Sequence, residues 1–71
     1  MTRNLKEEMI RIIDQLIDKS LLSECSYDIA MNECMTKLKI EDFTAERIIE
    51  TLKWYERRYY SPRTNILRRI E

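Results

Sequence analysis

The chain contains no glycine, and Pro62 is its one proline. Tight turns that need a left-handed residue lose their usual occupant, so the composition favours helices joined by short polar links. Strands have little support at this level. The 71 residues leave room for one domain, 1–71, whose single core is only just large enough to hold a fold. Disulfides, metal or self-association would each add to it.

Helical periodicity is clear from Leu5 onward. Leu5, Met9, Ile12, Ile13, Leu16 and Ile17 recur at spacings of three and four, with Glu7, Arg11, Asp14 and Asp18 on the opposite side. Asn4 offers a capping oxygen and Glu7 follows three places on, which sets a first helix at about 5–20. Ser23 is read as the cap of a second helix, about 24–39, with Leu22 and Tyr27 as its hydrophobic staple. Thr44 is read as the cap of a third, about 45–60, with Phe43 and Ile48 in the same roles. Tyr27, Ala30, Met31, Cys34 and Leu38 line the second helix, and Ile48, Leu52, Tyr55 and Tyr59 line the third. Ser61-Pro62 ends that helix and opens a short fourth, about 62–71, whose apolar edge is Ile66, Leu67 and Ile70. The expected fold class is all-α, a small bundle of three amphipathic helices and a short C-terminal one.

Leu16-Ile17-Asp18-Lys19-Ser20-Leu21-Leu22-Ser23-Glu24-Cys25-Ser26-Tyr27, running on to Leu38, resembles the short C-terminal (SHOCT-like) helical hairpin of bacterial and phage proteins. Ser20 stands where that pattern usually has glycine, and the likeness covers about a third of the chain. The resemblance implies a self-associating or nucleic-acid-linked accessory module and carries no binding residue across.

Chemistry is excluded more readily than assigned. The chain has no histidine and two cysteines, Cys25 and Cys34, too few for a four-ligand zinc set and without an imidazole to activate a thiolate. If both thiols lie on one helix, nine residues set them on opposite faces, so reduced cysteines in a cytoplasmic protein are expected. Cys34 reads as a core residue and Cys25, near a helix N-terminus, as structural. Glu7, Glu8, Asp14 and Asp18 read as the solvated face of an amphipathic helix. A phosphate-binding loop is ruled out by the missing glycine. No apolar run exceeds three residues, Ile29 to Met31, so no membrane segment is drawn. The expectation is a non-enzyme with no metal, cofactor or small-molecule substrate.

Charge points to a partner. Thirteen acids balance thirteen bases, but residues 1–50 carry net −4 and residues 51–71 net +4. The basic end either folds onto the acidic helices or meets an acidic partner. If Tyr55 and Tyr59 face the core, Trp54 projects away among arginines; alternatively it packs beneath the fourth helix. Tryptophan and arginine dominate binding hot spots, which makes Arg47, Lys53, Trp54, Arg57, Arg58, Arg63, Arg68 and Arg69 the candidate partner-binding set. The reading is a non-enzymatic interaction protein, a homodimer that binds an acidic protein partner in a regulatory, accessory or phage-type inhibitory role. The alternative is a nucleic-acid-binding regulator, in which helix two, the Lys39–Thr44 link and helix three imitate a helix-turn-helix. Ala45, Glu46 and Arg47 are poor base readers, and the acidic first half would repel DNA.

Overall fold

The computed structural model describes residues 4–54 and 58–69. The elements are α1 (Leu5–Lys19), β1 (Glu24–Ser26), α2 (Tyr27–Leu38), α3 (Asp42–Trp54), β2 (Arg58–Ser61) and β3 (Ile66–Arg69). The fold is therefore mixed, three helices and a small antiparallel sheet, and the all-α bundle with a fourth helix at 62–71 is incorrect. β3 lies in the middle of the sheet, in the order β1-β3-β2.

α1 forms as its periodicity dictates. The Asn4 side chain accepts the Glu7 amide at 3.1 Å, and Met9, Ile12, Ile13 and Ile17 are buried. At its end Ser20 holds the chain in a tight bend, its hydroxyl accepting the Leu22 amide and its carbonyl the Ser23 amide, both at 3.3 Å. Ser23 then takes φ 57°, a left-handed turn residue rather than a helix cap.

β1 occupies the three residues expected to open the second helix. Ser26 is the true cap, accepting the Asp28 amide at 3.2 Å, so α2 starts at Tyr27. The expected Leu22 staple is absent, because Leu22 is 76% exposed. α3 begins at Asp42 rather than after Thr44, with the Ala45 amide bonded to the Glu41 carbonyl at 3.0 Å. Phe43 is exposed and staples nothing; its ring instead lies 5.4 Å below the Arg47 guanidinium carbon. α3 ends at Trp54, and Tyr59, expected on its apolar face, belongs to β2. Tyr55 and Ile70, expected on apolar faces, lie outside the described residues.

Ser61-Pro62 makes a hairpin corner instead of a helix start. Proline suits the second position of a turn as well as the first position of a helix, because both need φ near −65°. Asn65 closes the turn at φ 57°, its amide bonded to the Ser61 carbonyl at 2.8 Å. Alternation decides the faces: Cys25, Leu67 and Tyr60 stand opposite one another toward the core, with Glu24, Arg68 and Tyr59 in the adjoining row outside. Leu67, fully buried, joins Tyr27, Ala30 and Cys34 of α2 and Ala45, Ile49 and Leu52 of α3 in the core.

Candidate nucleic-acid interface

α2 and α3 are separated by Lys39, Ile40 and Glu41 alone, the three-residue spacing of a helix-turn-helix. Lys39 makes the turn at φ 54°, taking the left-handed position that glycine usually fills after a helix. The β2–β3 hairpin comes after α3 in the chain, and its turn, residues 62–65, is tied back to the helices. The Asn65 carbonyl accepts the Tyr27 amide at 2.9 Å, and the Tyr60 hydroxyl donates to Asn65 Oδ1 at 2.7 Å.

α3 buries Ala45, Ile49, Leu52 and Lys53. Its exposed stripe is Phe43, Glu46, Arg47, Glu50, Thr51 and Trp54, positions that share one side at helical spacing. Trp54 is 68% exposed, which resolves its two possible placements in favour of solvent. The Thr51 hydroxyl donates to the Arg47 carbonyl at 3.0 Å. The stripe thus carries one cation, two carboxylates, a hydroxyl and two aromatic rings.

The other expected partner-binding residues divide. Lys53 is 7% exposed, with its ammonium 3.8 Å from the Tyr27 ring centre, 3.9 Å from that of Tyr60 and 2.5 Å from Glu50 Oε1. It belongs to the interior and not to the surface the sequence assigned it. Arg69 folds back onto α1, 2.6 Å from Asp18 Oδ1 and 3.6 Å from Asp14 Oδ1. The Asp18 hydrogen bond raises its pKa above the usual arginine value, opposed by desolvation and aided by the charges of Asp18 and Asp14. Arg68 is exposed on the outer sheet face with its guanidinium carbon 4.8 Å from the Tyr59 ring centre, and Arg63 is exposed in the hairpin turn. Arg58 pairs with Arg69 through the β2–β3 ladder; the Arg58 side chain and all of Arg57 lie outside the described residues.

Tyr59 and Arg68 also border an open groove of about 670 Å³, whose other walls include Ile17, Asp18 and Leu22. Its solvent-facing mixture of both charges does not isolate a reacting group from water. The most perturbed groups are made less reactive, not more. Burial pushes the Cys34 thiol up to about 12, with further upward pressure from Cys25 and Glu33. It likewise pushes Tyr27 up to about 12, aided by Glu46 and Glu50.

Sequence reasoning missed Phe43, Glu46, Glu50 and Thr51 as surface residues of one helix face, and Tyr59 as an exposed ring. The signal for Tyr59 was the strand preference of the Tyr59-Tyr60 pair just ahead of Ser61-Pro62, overridden by extending a helical period through it. Among the described residues, no helix is long and apolar enough to cross a membrane. Compared with family models, curated proteins and solved structures, the chain matches none of them.

Proposed function

We propose that this protein is a small, non-catalytic duplex-DNA-binding module, with α3 entering the major groove and the β2–β3 hairpin lying against the adjacent backbone. One observation carries the reading: two helices joined by a three-residue turn are followed, past residues 55–57, by a hairpin segment, 58–69, that holds four arginines and no acid. Arg63 and Arg68 are exposed cations of that hairpin and would neutralise phosphates, while Arg69, also exposed, is held by Asp14 and Asp18. On α3, Arg47 can grip phosphate or guanine, while Glu46 and Glu50 are acceptors suited to a cytosine amino group and unsuited to phosphate. B-form DNA is the expected duplex, since the narrow major groove of A-form RNA does not admit a helix. Action in the cytoplasm, without a cofactor and as two copies on a two-fold site, goes with this reading.

A second reading has its own support in Phe43 and Trp54, 66% and 68% exposed at opposite ends of α3. Large rings of this kind anchor protein partners. Fluorescence anisotropy on a labelled duplex separates the two. DNA binding predicts affinity that falls steeply between 50 and 200 mM salt, and a log–log slope reduced by about 2 when Arg63 and Arg68 both become alanine. Absence of binding at low salt would refute it. Protein docking predicts no duplex binding, with Trp54→Ala leaving helical content near wild type and abolishing co-purification with a protein partner.

A further inference from the structure

Lys53 is a cation held inside a domain whose net charge is zero and whose surface has ample room for it. Burying an ammonium is costly unless it is closely matched, so its surroundings are informative. They form a closed circuit through three elements. The Lys53 ammonium, on the last turn of α3, lies 3.8 Å from the Tyr27 ring at the start of α2 and 3.9 Å from the Tyr60 ring on β2. The two rings meet edge to face, with centres 6.2 Å apart. Tyr60 donates its hydroxyl to Asn65 in the hairpin turn, and Asn65 accepts the amide of Tyr27. Glu50, one turn earlier on α3, supplies the counter-charge from the half-exposed rim.

A leucine here would fill space but would tolerate several ring arrangements. A cation attracted to two ring faces, with a carboxylate fixing its third side, favours one. The circuit joins α3 to the hairpin turn, and the same turn carries Arg63. We infer that Lys53 is a positioning residue for the β2–β3 hairpin: its ammonium, clasped between Tyr27 and Tyr60, sets where the hairpin arginines stand relative to α3. The inference rests on the DNA-binding reading for its consequence in affinity, and on the free protein for its consequence in structure.

Both parts are measured with Lys53→Met, which keeps an unbranched apolar stem and removes the cation, and with Lys53→Arg, which restores it. In the free protein, amides of β2 and β3 in the Met variant should exchange with solvent about ten-fold faster than in wild type, while those of α1 are unchanged. Its duplex affinity should fall about ten-fold with an unaltered salt slope, because Lys53 touches no phosphate. The Arg variant should recover part of both effects. Unchanged hairpin exchange overturns the inference, whether or not the protein binds DNA. A slope lower by about 1 also overturns it, since Lys53 would then be a phosphate ligand. If wild type binds no duplex but the hairpin loosens as expected, the DNA reading fails and the clasp stands. Should Lys53→Met not fold, Tyr60→Leu removes one ring face with the lysine intact and must loosen the same amides; if it does not, the clasp is refuted.

Discussion

Lys39 adopts φ 54° in the link between α2 and α3, where an L-residue with a β-carbon is strained by roughly 1–2 kcal/mol. A chain without glycine meets this cost three times among its described residues, at Ser23, Lys39 and Asn65. Asn65 is the one best suited, since its short polar side chain tolerates the left-handed region and here accepts the Tyr60 hydroxyl. Among the described residues nothing gives Lys39 such compensation in its exposed position. Lys39→Gly should therefore raise the unfolding free energy by about 0.5–1 kcal/mol, the relief of strain less the added freedom of the unfolded chain. Lys39→Ala should give no comparable gain. Urea denaturation of the two variants checks this, and equal midpoints would remove the strain from the account. That a lysine would turn the chain was invisible beforehand, because nothing in its neighbours marks a left-handed residue without glycine.

At the scale of elements, legibility followed the reach of the interactions that build each one. α1 was readable because its stripe, its Asn4 cap and its counter-face are all local. α2 was displaced by three residues, since Ser23 and Ser26 are equally good caps on paper and only the pairing of Glu24–Ser26 with β3, some forty residues away, chooses between them. The hairpin was lost for the same reason, with the ambiguity of Ser-Pro added. α2 also carries two groups whose burial makes stability depend on alkaline pH. Cys34 is raised from 9.0 to about 12, chiefly by burial, and Tyr27 from 10.0 to about 12 by the same cause. Both hold their protons more tightly folded than unfolded, so their stabilising contribution is complete below pH 9 and is lost as pH rises from 9 through 12. Urea midpoints should be level from pH 7 to 8.5 and fall by pH 10.5, with Cys34→Ala flattening the earlier part of the decline. A level profile throughout would contradict the burial of both groups.

Over the whole molecule, the sequence showed a polarity of charge but not how much of it is spent internally. Arg69 is drawn onto Asp14 and Asp18 of α1, and Lys53 onto Glu50, so two of the eight residues proposed from sequence serve the fold. The Arg69 pairs are largely solvated and add little to stability; their effect is to fasten the outer end of β3 against α1. Arg63 and Arg68 remain exposed on the hairpin, Arg47 and Trp54 on α3. Two helices joined by a short link were expected from the sequence, though with the link at 39–44 rather than 39–41, whereas the β2–β3 hairpin depended on contacts far apart in the chain. The proposed function joins these parts: α3 and the hairpin turn would contact one DNA duplex together. Titration of the ¹⁵N-labelled protein with a short B-form duplex at low salt tests it most directly. The account predicts amide shifts concentrated at Arg47, Thr51, Arg63 and Thr64, with the outer face of α1 undisturbed. Shifts confined to α1, or none at any duplex concentration, would contradict it.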